Sequence, residues 1–94
     1  MRGHNLKNVI VTGAGGSIGS ELVRQISRDK PAELFLIDNC ELSLFNIYNE
    51  LIDNTYLKDV SIKALLLDCT REFFIEYFKN KSIDFIYHVA AYKH

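Results

Sequence analysis

Val9-Ile10-Val11-Thr12-Gly13-Ala14-Gly15-Gly16-Ser17-Ile18-Gly19 is the stretch on which the fold turns. An apolar run breaks into glycines and then resumes with helical spacing. A buried strand therefore stops, the backbone bends without side chains in its way, and a helix starts. Gly13 allows the tight turn, Gly16 lets main chain approach a ligand with no Cβ between them, and Gly19 lets the helix press on the strand it left. The N–H groups and dipole of a helix N-terminus suit a pyrophosphate at such a bend. A phosphate loop of the Gly-Lys-Ser/Thr type is absent.

Outward from the bend, strands and helices alternate. The first strand is expected from about Lys7 to Thr12, with the uniform apolar character of a strand covered on both faces. The first helix is expected over Ser17–Arg28, with Ile18, Leu22, Val23 and Ile26 as its apolar stripe and Glu21, Arg24 and Gln25 facing water. Pro31 sits in a short connection to a second strand, Glu33–Ile37, which ends at Asp38. Leu44, Phe45, Tyr48, Leu51 and Ile52 recur at helical spacing within about Glu41–Asp53, and Asn54 reads as the stop. A third strand, Ser61–Leu67, closes on Asp68, and Thr70 caps a third helix running to about Lys79. That helix carries Phe73, Phe74, Ile75, Tyr77 and Phe78, a density of apolar residues that predicts burial beneath the sheet. Phe85–Val89 forms the last strand, followed by Ala90-Ala91-Tyr92-Lys93-His94.

Such alternation requires an α/β fold with parallel strands and crossover helices. The doubly wound rule gives a partial Rossmann fold with four strands in the order 3-2-1-4 and three helices. The bend, Asp38, Asp68 and Ala90-Ala91 then share the carboxyl edge of the sheet, where such folds bind ligands.

Composition bounds the function. The 94 residues allow one small domain, and a hydrophobic share of 48% with 24% charged residues marks a globular chain. A net charge of −1 gives no electrostatic case for nucleic acid or an anionic membrane as partner. No apolar run reaches the roughly 18 residues of a membrane span, and no signal-peptide core opens the chain. Cys40 and Cys69 stand far apart, outside any CxxC arrangement, and read as reduced thiols of a cytoplasmic protein. Met1-Arg2-Gly3-His4 reads in part as an addition to the fold.

Asp38 lies about 20 residues past the bend, where a carboxylate accepts both ribose hydroxyls of an adenosine and repels a 2′-phosphate. This favours NAD over NADP. The competing reading has Asp38 or Asn39 cap the next helix with Glu41. Asp68 meets an adenine amino group or caps the third helix. Ser17 and Ile18 offer main-chain N–H groups to phosphate, and Ala90 and Ala91 leave room for the nicotinamide end. Cys40 and Cys69 reach adenine or serve as small packing residues. His88, inside an apolar strand, reads as a satisfied core histidine. His4, His88 and His94 lack metal-ligand spacing, so no metal is expected. Lys93 and His94 fall near where a substrate would approach.

Thr12-Gly13-Ala14-Gly15-Gly16-Ser17-Ile18-Gly19-Ser20-Glu21-Leu22 resembles the opening of the extended short-chain dehydrogenase/reductase superfamily. Within it, the chain is similar to the bacterial polysaccharide-biosynthesis nucleotide-sugar 4,6-dehydratases, the CapD-type proteins. Leu36-Ile37-Asp38 with Glu41, Asn49-Glu50-Leu51, Leu67-Asp68 and His88-Val89-Ala90-Ala91-Tyr92-Lys93-His94 also fit. Val89 departs from the alanine usual in that group.

The resemblance implies an enzyme that binds NAD(P), acts on a UDP-linked N-acetylhexosamine and forms a 4-keto-6-deoxy sugar nucleotide. It assigns cofactor roles to Gly13, Gly16, Ser17, Ile18, Gly19, Asp38, Asp68, Ala90 and Ala91. The family's acid/base motifs lie beyond His94, so no catalytic residue is expected here. Residues 1–94 are then one incomplete NAD(P)-binding domain, the N-terminal part of a larger enzyme and catalytically silent alone. A bare fourth-strand edge predicts homo-oligomers. Many members carry membrane helices upstream, leaving an inner-membrane anchor open for the whole protein. The alternatives are a nucleotide-sugar epimerase or reductase of the same superfamily, and a non-catalytic dinucleotide-binding module.

Overall fold

The computed structural model describes residues 3–67 and 71–89. Asp68, Cys69, Ala90, Ala91, the Thr70 cap and Tyr92–His94 lie outside the described residues. The elements run β1 (Asn8–Thr12), α1 (Ser17–Arg28), β2 (Glu33–Asp38), α2 (Glu41–Ile52), a short 3-10 turn (Thr55–Leu57), β3 (Ser61–Leu66), α3 (Arg71–Phe78) and β4 (Phe85–His88).

All pairings are parallel and the strand order is β3-β2-β1-β4, as the alternation requires. Val9, Val11, Leu34 and Leu36 face one way and pack with Val23 and Ile26 of α1 and Leu44, Ile47 and Leu51 of α2. Ile10, Phe35 and Ile37 face the other way against Phe78 of α3. Opposite parities of the same two strands thus fill two separate cores, which is why β1 and β2 are apolar throughout.

Three packing expectations change. Ile18 is 73% exposed and does not join the stripe of α1. The inward positions are Gly19, Val23, Ile26 and Ser27, which puts glycine where α1 crosses closest to the bend and turns Ile18 outward. In α2 the buried stripe is Leu44, Ile47 and Leu51, while Phe45 and Ile52 are exposed. Helix α3 is not buried beneath the sheet. It turns Phe74 and Phe78 inward, one turn apart, and leaves Phe73, Ile75 and Tyr77 exposed. A helix of eight residues offers one narrow stripe to the sheet, and Ile86 of β4 is uncovered on the same side.

Local chemistry ends the elements. The Asn54 side chain accepts the Tyr56 N–H at 2.9 Å and caps the 3-10 turn that follows α2. Arg24 clamps α1 to α2, donating from Nε and Nη2 to the two oxygens of Glu50 at 2.7 and 3.1 Å. A cavity of about 130 Å³ lies beside this clamp, between the C-terminal halves of the two helices. His4 belongs to the fold. Its Nδ1 meets Asp29 Oδ2 at 2.9 Å and its Nε2 meets the Tyr87 hydroxyl at 2.6 Å.

Candidate functional site

The bend from β1 to α1 is held from below and from both flanking strands. Gly13 has φ +69°, a conformation that favours glycine, and a Cβ there would strike the Val89 carbonyl at the end of β4. On the other flank, the Ala14 N–H donates to the Ile37 carbonyl at 3.1 Å. A Cβ on Gly19 would strike the Gly13 carbonyl, so helix and bend touch main chain to main chain. Gly15 is also closely packed, because a Cβ on it would run into Ser43 and Leu44 at the start of α2.

Gly16 is different. The nearest atom to a Cβ added there is the Gly13 carbonyl oxygen, 3.7 Å away, and its φ is −73°. Among the described residues neither packing nor backbone conformation requires glycine at that position. The open space lies at the N-terminus of α1. No side chain caps this helix, and its first turn carries no acidic residue. The N–H groups of Ser17, Ile18 and Gly19 have no intrahelical acceptor in a helix that starts at Ser17. Gly16, Ser17 and Ile18 are all exposed. An anion can therefore approach main-chain donors at the positive end of a helix.

Asp38 reaches this bend from the tip of β2. Its Oδ2 accepts the Gly15 N–H at 2.8 Å, and its Oδ1 accepts the Cys40 N–H at 3.0 Å. The residue that precedes α2 as its cap is Cys40, with no side-chain capping bond. The capping reading of Asp38, Asn39 and Glu41 gives way to a tie between two loops. A carboxylate has about four acceptor positions, and these two bonds leave one free on each oxygen.

Cys40 is exposed rather than a packing residue, with Sγ 3.2 Å from the Ser43 hydroxyl. That hydroxyl, followed by the Ser43 main-chain N–H, lowers the thiol below its usual value. His88 is exposed as well, not a core histidine, although its Nδ1 lies 2.7 Å from the hydroxyl of buried Thr12. Among the described residues no three His, Cys, Asp or Glu are grouped to hold a metal ion.

The structure thus brings together Gly13, Gly16, Ser17, Ile18, Gly19 and Asp38. Sequence reasoning missed Gly15 as the donor that ties Asp38 to the bend, and Thr12 as the partner of His88. The parallel register of β1 with β4 pairs Thr12 with His88, so strand alignment was the signal for the second pair.

The model of the polysaccharide biosynthesis protein family matches residues 9–94. The chain belongs to that family. The probable polysaccharide biosynthesis protein EpsC of Bacillus subtilis is 40% identical over 89 residues, covering 94% of this chain and 15% of EpsC. The capsular polysaccharide biosynthesis protein CapD of Staphylococcus aureus is 37% identical over 89 residues, again covering 94% of this chain and 15% of the relative. The chain therefore spans about a seventh of the length of these relatives. The X-ray structure of Pen from Bacillus thuringiensis has the same fold, with a TM-score of 0.79 and 28% identity over 100% of this chain and 28% of Pen. Among the described residues no helix is long and apolar enough to cross a membrane.

Proposed function

We propose that this chain is the NAD-binding part of a nucleotide-sugar 4,6-dehydratase that acts on a UDP-linked N-acetylhexosamine in polysaccharide biosynthesis. The observation that carries the reading is the pairing of Gly16 with Asp38. One is a glycine that no contact among the described residues requires to be glycine, facing open space at an uncapped helix N-terminus. The other is a carboxylate held beside that space by Gly15. A diphosphate over Gly16, met by the N–H groups of Ser17 and Ile18, explains the first. Ribose hydroxyls on the two remaining acceptor positions of Asp38 explain the second. The same carboxylate would lie against a 2′-phosphate, which favours NAD over NADP. Asp68, Cys69, Ala90 and Ala91, outside the described residues, complete the proposed cofactor set.

NAD, when bound, supplies the hydride acceptor and donor for an internal redox exchange on the sugar. The residues of this chain hold and orient it, and the acid/base groups are assigned to the polypeptide beyond His94. The test is NAD titration of the full-length protein carrying these residues. Asp38→Ala is expected to weaken binding by roughly fivefold or more, the scale of losing hydrogen bonds to a charged acceptor. Asp38→Asn keeps one acceptor oxygen but sets an NH2 donor where the second oxygen accepts a loop N–H, so it also loses affinity. Unchanged affinity in Asp38→Ala removes the ribose assignment. Incubation with UDP-N-acetylglucosamine separates the dehydratase, which yields a 4-keto-6-deoxy product, from an epimerase or reductase on the same cofactor domain.

A further inference from the structure

We propose that the Thr12–His88 pair is a positioning device for the glycine bend, through which His88 sets cofactor affinity from the β4 side. The inference rests on the dinucleotide reading above. Thr12 is the last residue of β1 and only 4% exposed, so its hydroxyl cannot turn to water for a partner. His88 Nδ1, at 2.7 Å, is that partner, and no buried side-chain oxygen or nitrogen among the described residues is left unsatisfied. One residue on, the Val89 N–H donates to the Thr12 carbonyl at 3.2 Å, and the Val89 carbonyl occupies the space beside Gly13 that a side chain would need. The end of β4 therefore bears on the bend through three successive links: imidazole to hydroxyl, N–H to carbonyl, and carbonyl against Gly13.

The first link is the only one made by side chains, so it is the one that sequence can tune. The imidazole accepts from the Thr12 hydroxyl or donates to it, according to tautomer. On the opposite flank Asp38 grips Gly15. The bend is thus clamped between β2 and β4, with Gly16 at the crown. Release of the β4 clamp leaves the main-chain donors of Ser17 and Ile18 less well placed, while the fold keeps its hydrophobic cores. His88 acts through Thr12 and is a positioning residue.

The experiment uses the full-length protein with His88→Ala, His88→Asn, His88→Gln, Thr12→Val and the Thr12→Val/His88→Ala double variant. NAD affinity, UDP-sugar affinity and thermal midpoint are measured for each. Asparagine carries an amide group close to where the imidazole holds Nδ1, and glutamine carries it one carbon further out. His88→Ala is expected to weaken NAD by about three- to tenfold, the scale of one net hydrogen bond. UDP-sugar affinity should stay within about twofold, inside the usual error of additivity. His88→Asn should restore NAD affinity and His88→Gln should not. Thr12→Val should match His88→Ala, and the double variant should be no worse than either. If His88→Ala fails to fold, the Asn and Gln variants carry the comparison.

Wild-type NAD affinity in His88→Ala overturns the proposal, as does equal rescue by Asn and Gln or simple additivity in the double variant. Absence of NAD binding in the unmodified protein is a separate outcome. It removes the dinucleotide reading and this inference with it, whereas binding that ignores His88 removes this inference alone.

Discussion

The contrast between Gly16 and Gly19 separates a glycine kept for a ligand from one kept for packing. Replacement of either by alanine adds the same single methyl group. At Gly19 that methyl lands on the Gly13 carbonyl, and both sides of the clash are main chain. Relief requires α1 to move off the bend, and overpacking of this kind costs about 1–3 kcal/mol, with rigid backbone towards the upper end. At Gly16 the nearest atom is 3.7 Å away, an ordinary contact distance. Two smaller effects oppose each other there. Alanine is a poorer N-cap than glycine by about 0.5–1 kcal/mol. It also restricts the unfolded chain at a φ that alanine accepts, which returns about 0.4–1 kcal/mol. For a domain of this size 1 kcal/mol shifts the thermal midpoint by roughly 4–8 °C. Circular dichroism melts of the chain should therefore place Gly16→Ala within about 4 °C of the parent and Gly19→Ala at least about 8 °C below it. NAD titration of the full-length protein then completes the contrast. Gly16→Ala should fold normally and lose about tenfold or more in affinity, because its methyl occupies the diphosphate position. Equal melting losses in the two variants would refute the open-space reading of Gly16. A folded Gly16→Ala protein with unchanged NAD affinity would refute the diphosphate above it.

The α1–α2 clamp has a pH signature. Hydrogen bonds from Arg24 hold the Glu50 carboxyl below its ordinary 4.5. Gln25, then Arg24, do the same for Glu21. A carboxylate lowered in the folded state stabilises above its unfolded value, and that contribution disappears as pH falls through the folded one. The melting midpoint should therefore drop on acidification below about pH 4.5, and Arg24→Met should make that drop shallower. An identical acid profile in the variant would show the clamp to be without effect, the usual fate of exposed ion pairs. At β4, which pairs with β1 on one side and with no other described strand, Phe85 and Ile86 are exposed beside unpaired backbone groups. The 94-residue chain should self-associate in light scattering at high concentration, and a clean monomer would argue against this.

The order of elements was legible because it depends on one signal, the switch between continuous apolar runs and helical spacing. The bounds of α1 came out to the residue, since glycines precede it and Arg28 ends it before Asp29 and Pro31. The faces were harder to read. Ile18, Phe45, Ile52 and, in α3, Phe73, Ile75 and Tyr77 are exposed, and composition alone does not tell a covered stripe from a bare one. Which stripe is covered depends on how many strands lie beneath, and that is a property of the sheet. The site divides along the same line. Gly13, Gly16, Gly19 and Asp38 follow from spacing, because each has a fixed place in a strand–bend–helix unit. The grip of Asp38 on Gly15 and of His88 on Thr12 joins neighbouring strands, and only the register of the sheet brings those partners together.

The double duty of Asp38 limits how its coenzyme preference could be re-engineered. Exchange of an acidic side chain for a basic one at a strand tip is the obvious way to welcome an extra phosphate. Here the swap would also strip the Gly15 and Cys40 amides of their acceptor and slacken the turn that every pyridine nucleotide must use. A productive redesign would have to supply a substitute oxygen for those two amides before the charge is changed.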